Sequence, residues 1–516
     1  MNKKSQPANE DIRINPNLAQ RIQNELGENV YLCYQCVKCT SGCPVGQYFD
    51  WQPNQIMRAL QLGQEDIALE SDTPWLCASC QTCTTRCPQG IDIARIMDVL
   101  EIMAQEQKIR PKARTVPMFY KSANRGIGWF GRMWELGLMA ELYVREFLAG
   151  EPPRRQFFRQ LFRYDMAMAV KMLRAGKLKI LPSIARRPRN GRRPSFQSEA
   201  LEPDMMPAYP EAAKPAKRAA ESDVISYYPG CSLHATGIEF NLSTKAVAKK
   251  LGLNLVEPTG WKCCGTSPAH NTDHYRSIKL PMETLAIAQE MGHSYMTMPC
   301  AACFSRFRIA MHEVQQDPEL RRRIAQEIGS EYTGGIKVDS LLTTITDRVG
   351  YETAAKPVVK PLAGLKVVCY YGCLLTRPPD VTGEEHYEYP SNMDRLVEEL
   401  GAEALDWTYK TDCCGGSLSL STLEIALDLS HKILRNAQDV GADLIVTACP
   451  LCHANLDLRQ KQINDEYGEE LHIPILYFTQ LMGVAYGLSP KVLGLDKHFS
   501  DALGLLKEKE LIESGG

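Results

Sequence analysis

Leu32-Cys-Tyr-Gln-Cys-Val-Lys-Cys-Thr-Ser-Gly-Cys-Pro44 has the spacing C-x2-C-x2-C-x3-C-P, and Trp75-Leu-Cys-Ala-Ser-Cys-Gln-Thr-Cys-Thr-Thr-Arg-Cys-Pro88 repeats it. Three closely spaced thiolates wrap one iron–sulfur cube, and the fourth Cys, before Pro, reaches the other cube. The spacing therefore assigns Cys33, Cys36, Cys39 and Cys87 to one 4Fe–4S cluster, and Cys77, Cys80, Cys83 and Cys43 to a second. Zinc ribbons are the competing reading, but a C-x2-C-x2-C run crowds three ligands in a way zinc sites rarely use.

Working outward, no Cys lies between Cys87 and Cys231. A second design then appears twice: a lone Cys, a Cys-Cys-Gly and a C-x2-C. Its copies are Cys231, Cys263, Cys264, Cys300, Cys303 and Cys373, Cys413, Cys414, Cys449, Cys452. The gaps are 31 and 35 residues in the first copy, and 39 and 34 in the second, which reads as an internal duplication. Five thiols exceed the four that one cube needs, so either one Cys per copy is free or the cluster is not a cube. Gly265 and Gly415 are expected to let the backbone approach the metal. Cys369, the nineteenth Cys, is expected to be a buried strand thiol.

The chain has 516 residues, 44% apolar and 23% charged, with net charge −2. That length predicts several domains, and the charge balance gives no prior for nucleic acid. The longest apolar stretch, 127–148, carries Arg132, Glu135, Glu141, Arg145 and Glu146, so no membrane span is expected. The first residues lack the apolar region of a secretory leader, which points to the cytoplasm. There, dense thiols read as metal ligands rather than disulfides. No G-x-G-x-x-G or P-loop motif is present, so no flavin or nucleotide site is expected in this chain.

The expected fold class is multidomain, α+β and α/β. Its parts are an N-terminal, mainly helical two-cluster ferredoxin-like domain and a C-terminal duplicated α/β Cys-Cys-Gly domain with pseudo-two-fold symmetry. Expected boundaries are an extension at 1–24, the helical ferredoxin-type domain at 25–182, a linker at 183–222, repeats at 223–350 and 351–490, and a tail at 491–516. Within the helical domain, short helices are expected at Asn54–Leu62 and Glu65–Leu69, with a longer one after Pro88. Phe130, Trp134, Leu138 and Leu142 recur every fourth residue and are expected to pack down. The linker is rich in Pro, Ala and Arg and reads as a solvated tether. In the repeats, runs at Ile225–Tyr228, Tyr295–Met298, Leu365–Tyr371 and Leu444–Thr447 alternate with helical patterns at Glu239–Leu251 and Asn392–Leu400. That alternation predicts parallel sheets with the thiols where strands end and helices begin, and helix N-termini there favour negative charge.

With these motifs, Tyr227-Tyr-Pro-Gly-Cys231, Lys262-Cys-Cys-Gly265, Pro299-Cys-Ala-Ala-Cys303, Asp412-Cys-Cys-Gly-Gly416 and Ala448-Cys-Pro-Leu-Cys452 included, the chain resembles heterodisulfide reductase. Residues about 25–182 are similar to that family's small ferredoxin-type subunit, and residues about 223–490 to its catalytic Cys-Cys-Gly subunit. Their order in one chain is that of the family's fused D subunit. The resemblance implies one noncubane 4Fe–4S cluster in each five-Cys set. It also implies a disulfide substrate (coenzyme M–coenzyme B in the family) bound between the two, each cluster taking one sulfur as the bond opens. Partners implied are a flavin-containing subunit or a cytochrome b-type membrane subunit as electron donor, within a hetero-oligomer. Related proteins serve flavin dehydrogenases of glycolate, lactate or glycerol 3-phosphate, or act as conduits in bifurcating complexes, and these remain alternatives. His234 and His453 are candidate proton donors, each weighed against a helix-cap or surface role. Lys262 offsets cluster charge or is merely solvated. Trp261 and Trp407 are expected to shield the clusters from water.

Overall fold

The computed structural model describes residues 13–185 and 224–513. Most of the expected linker, from 186 onward, lies outside the described residues.

The N-terminal unit is helical, as expected. Helices Leu18–Leu26, Pro53–Leu62, Glu65–Leu69 and Ile93–Glu106 bury Leu18, Ile22, Ile56, Leu60, Leu69, Ile96 and Leu100 in one core. This core begins before residue 25. Local chemistry sets the helix ends. Pro53 occupies a first-turn position, where its missing N–H costs nothing. Asp92 accepts from the Arg95 amide and caps the long helix.

Helices Thr115–Phe130 and Glu135–Ala149 then form a hairpin. This corrects the four-residue stripe drawn through Phe130 and Trp134. The helix stops at left-handed Gly131, and Trp134 stands ahead of the next helix. Only Leu138 and Leu142 of the four are fully buried, because the turn takes the other two off the shared face. Arg154–Gln160 continues through a π turn, Leu161–Asp165, into Met166–Arg174. No helix among the described residues is long and apolar enough to cross a membrane.

Two four-stranded parallel sheets follow. The first contains β1 Val224–Tyr227, β2 Asn254–Val256, β3 Tyr295–Met298 and β4 Lys337–Ser340, in the order β2-β1-β3-β4. The second contains β5 Lys366–Tyr370, β6 Glu403–Ala404, β7 Leu444–Thr447 and β8 Ile475–Tyr477, in the order β6-β5-β7-β8. Central strands β3 and β7 are buried along their whole length, as strands covered by helices on both faces must be. The segment expected as a tail is folded: helix Ala502–Glu508, with Leu493, Leu495 and Leu506, packs into the same core as the repeats.

Candidate functional site

Strand order explains how distant thiols meet. The lone Cys follows β1 or β5 and the C-x2-C follows the neighbouring β3 or β7, so both arrive at the carboxyl end of adjacent parallel strands. Cys300 and Cys449 are themselves the residues ahead of helices Ala301–Gln316 and Pro450–Leu458. The partial positive charge of each helix start therefore falls beside a thiol. The Cys-Cys turns close the sets: Cys264 Sγ lies 3.3 Å from Cys303 Sγ, and Cys414 Sγ lies 3.6 Å from Cys452 Sγ. Cys231 contacts Cys263, and Cys373 contacts Cys413.

Glycines ahead of the lone cysteines make these approaches possible. Gly230 and Gly372 have φ of +70° and +69°, and a Cβ there would lie 3.0 Å from Cys303 Sγ and 2.9 Å from Cys452 Sγ. Gly265 and Gly415, where the sequence predicts a close approach of the backbone, also have positive φ, +86° and +74°. Those two donate their N–H to Cys263 Sγ and Cys413 Sγ, at 3.4 and 3.3 Å, and pack their turns against Ala269 and Ala426.

All ten thiols line one cavity of about 1320 Å³. The two sets touch through Cys300 and Cys449. Contacts with Cys231 and Cys264 pull the Cys263 thiol well below its ordinary value, and contacts with Cys300 and Cys452 do the same for Cys449. The helical segment forms the opposite wall with Leu138, Met139, Leu142 and Met172. It is anchored by the Met133 amide, which donates to Cys231 Sγ at 3.3 Å, and by the Arg132 guanidinium, 3.8 Å over the Trp261 ring.

This wall supplies a group that sequence reasoning missed. Glu135 is held with Oε1 accepting from Thr236 at 2.9 Å and with Oε2 buried and unpartnered. Burial pushes its carboxyl up to about 7. Its only sequence signal was an acidic residue in a stretch already read as too charged for a membrane span.

The eight N-terminal thiols fall into two neighbourhoods. Cys33, Cys36 and Cys39 interact with one another, and Tyr34 links Cys36 to Cys87. Cys77, Cys80 and Cys83 interact together, with Cys43 beside Cys80 and Cys83. Both loops hold non-glycine residues at positive φ in equivalent places: Gln35 and Val37, then Ser79 and Gln81, at +51° to +66°. Such conformations cost on the order of 1–3 kcal/mol each and persist where the surroundings demand them. Alternating left- and right-handed residues turn successive N–H groups inward, a nest suited to an anionic cluster. None of the 19 cysteines is in a disulfide. Strained nests, converging buried sulfurs and glycines cut away beside them all fit iron–sulfur clusters.

The second neighbourhood abuts the second five-Cys set. A contact with Cys413 pulls the Cys80 thiol down to about 6. Buried Arg377 spans the junction, donating to Thr82 Oγ1, Thr411 O and Oγ1, and Glu388. A cation beside a cluster favours its more negative, reduced state. Arg377→Gln is therefore expected to lower the midpoint potential of the cluster nearest Cys80 by on the order of 50 mV. A redox titration followed by EPR measures this, and an unchanged or raised potential refutes the role. The first repeat is fastened to the N-terminal unit by His270 Nδ1 on Asp98 Oδ2 at 2.8 Å and by Arg95, His274 and Glu313.

Other sequence candidates lie off the cavity. His234 pairs with Glu257 at 3.3 Å. His453 is neither a cap nor a surface residue: it is buried beside Glu239, stacked on Tyr477, with Nε2 3.1 Å from His498 Nδ1. His453, Asp457 and His498 come close enough to suggest a metal site. However, Asp457 is spent on the Phe499 and Ser500 amides, His498 on Gln480, and the Lys177 cation is close by. The trio fastens the C-terminal segment. Lys262 pairs with Glu283 at 2.6 Å. Trp261 and Trp407 are buried, with Nε1 donating to Glu257 and to the Cys369 carbonyl. Cys369 is fully buried in β5.

Comparison with known proteins fits this geometry. A family model described as a 4Fe-4S dicluster domain matches residues 32–92, and one described as a cysteine-rich domain matches residues 225–308 and 367–457. The chain is 31% identical over 281 residues to the 8-methylmenaquinol:fumarate reductase membrane anchor subunit of Wolinella succinogenes, covering 54% of this chain and 98% of that one. It is 31% identical over 300 residues to one subunit of the ferredoxin/F(420)H(2)-dependent CoB-CoM heterodisulfide reductase of Methanosarcina acetivorans, covering 56% and 98%. Lactate utilization protein A 1 of Bacillus cereus is 27% identical over 229 residues, covering 43% and 86%.

Proposed function

The chain belongs to the heterodisulfide reductase family, joining a dicluster ferredoxin-type unit to a cysteine-rich unit like the family's catalytic subunit, and from that premise we propose that it reduces a disulfide in the cavity between its two five-Cys sets. Cys33, Cys36, Cys39 and Cys87 would hold one cubane 4Fe–4S cluster, and Cys77, Cys80, Cys83 and Cys43 the other. Cys231, Cys263, Cys264, Cys300 and Cys303 would hold one noncubane cluster, and Cys373, Cys413, Cys414, Cys449 and Cys452 its counterpart across a pseudo-two-fold axis. When bound, these clusters supply the two electrons that, with two protons, convert R–S–S–R′ into R–SH and R′–SH. Electrons come from a partner protein, since no nucleotide motif is present.

The observation that carries this reading is the sharing of one cavity by all ten thiols, with the sets in contact at Cys300 and Cys449. The chain's own residues do the rest. Leu138, Met139, Leu142 and Met172 give an apolar wall that excludes water. Glu135, on the cavity wall, holds a proton near neutrality. The Cys80–Cys413 contact makes the second set the entry point from the N-terminal unit.

Protein purified without oxygen should contain roughly 16 irons per chain, four for each of four clusters, and should consume an added disulfide when reduced viologen is supplied. About 8 irons, or four clusters without disulfide consumption, overturns the proposal. The relatives named for menaquinol:fumarate reduction and lactate utilization favour a second reading, an electron-transfer subunit for a flavoprotein. It predicts that a flavin dehydrogenase and its hydroxy acid reduce the chain while disulfides leave it reduced.

A further inference from the structure

The helical segment that walls the cavity has an outer face that nothing described covers. From Arg154 to Arg174 the backbone is one continuous helix through its π turn, about 31 Å long. Phe158, Phe162, Val170 and Leu173 recur along it at intervals of four, eight and three and are 41–64% exposed, while Met166, half exposed between them, also reaches the cavity edge. Phe158 stacks on Phe162 with rings 5.9 Å apart and 14° from parallel. Leu148, Ile180 and Leu181, exposed at 69–78%, extend the apolar surface at either end. The opposite face is buried at Phe157, Asp165 and Met172.

Charge decides what covers this face. Between residues 152 and 181 the exposed charged side chains are Arg154, Arg155, Arg159, Arg163, Lys171, Arg174 and Lys179. Arg163 pairs with Asp465 at 3.3 Å and Lys171 donates to the Phe499 carbonyl, which leaves the other five for headgroups. The one acidic residue there, Asp165, is buried. Basic side chains flanking a helical apolar stripe match a bilayer interface, where acyl chains receive the stripe and anionic headgroups receive the long cationic side chains. A protein partner would need a deep apolar groove rimmed throughout with acid.

We propose that the outer face of the 154–174 helix docks into the headgroup–acyl boundary of a bilayer carrying anionic lipid. Docking there lays the cavity wall itself against the membrane, since Leu161, Met168 and Met172 of the same helix line the cavity. No transmembrane helix is required. The contact is amphipathic and peripheral, strengthened by about one basic contact per headgroup and weakened by salt.

The test is co-sedimentation of the cluster-loaded full chain with protein-free vesicles, one set of phosphatidylcholine and one of phosphatidylcholine with phosphatidylglycerol. Binding is expected to the anionic vesicles, to fall with added salt, and to drop more than about tenfold in Phe158→Ser/Phe162→Ser, since each buried aromatic side chain is worth that order of affinity. Iron content should not change, because both side chains are exposed and neither lines the cavity. Failure of the wild type to bind anionic vesicles overturns the proposal, as does binding that the double substitution leaves intact. Binding only to vesicles bearing an integral membrane protein also overturns it and assigns the face to a protein partner.

Discussion

Cys264→Ser and Cys414→Ser are each expected to remove disulfide reduction, by more than about 100-fold, with the spectra of the two N-terminal clusters left intact. Even partners one layer behind a metal ligand cost 10–100-fold when lost. These thiols are buried, 3.3 and 3.6 Å from Cys303 and Cys452, and a serine hydroxyl does not ionise to replace a thiolate. The informative feature is that each single substitution should be as damaging as both together. If the sets were independent sites, each variant would keep about half the turnover. The proposed mechanism, in which one substrate spans both sets in contact at Cys300 and Cys449, demands the opposite. Half-activity in either variant would refute the shared site, and loss of N-terminal cluster signals would show that the substitution had spread beyond it. Turnover and EPR on the same preparation separate these outcomes.

Glu135→Gln is expected to lower turnover about 100-fold, the lower range for a lost proton donor, and to flatten the pH profile. The sign follows from burial. Its carboxyl is raised from 4.5 to about 7, so the folded chain holds a proton the unfolded chain has released. Below about pH 7 the group can donate, and turnover falls as pH rises through that value. The same shift makes stability fall as pH climbs from 4.5 to about 7, by up to roughly 3 kcal/mol, because over that range the unfolded chain gains by releasing a proton that the desolvated carboxyl keeps. Glutamine keeps the acceptor for Thr236 but has no proton to lose. Its melting temperature should therefore drop less than the wild type's between about pH 4.5 and pH 7. A Glu135→Gln enzyme that keeps the falling alkaline limb would remove Glu135 from the chemistry, whatever its stability.

Much of the fold was legible because the repeats announce themselves. Tyr295–Met298 and Leu444–Thr447 were readable as strands because buried parallel strands are short, apolar and unbroken. Strands β2 and β6 were not, since three- and two-residue edge strands carry too few side chains for a period. The helical hairpin was misjudged at Phe130 and Trp134 because a four-residue rhythm continues across a turn that a single glycine makes. His453 shows another limit. Its position after Cys452 pointed to the cluster, yet the helix directs it backwards into a charged core shared with Glu239 and His498.

The sequence by itself determined the thiol inventory: which sulfurs belong to which design, that each design occurs twice, and that strands deliver the later set to helix starts. Spacing is a local property, and ligand loops are built from local spacing. Only the tertiary structure decided that the two five-Cys sets share a cavity, that Cys80 meets Cys413, and that a helix from the N-terminal unit closes the chamber and brings Glu135 to it. Those contacts join residues more than a hundred positions apart, where packing of complementary surfaces, not periodicity along the chain, selects the neighbours.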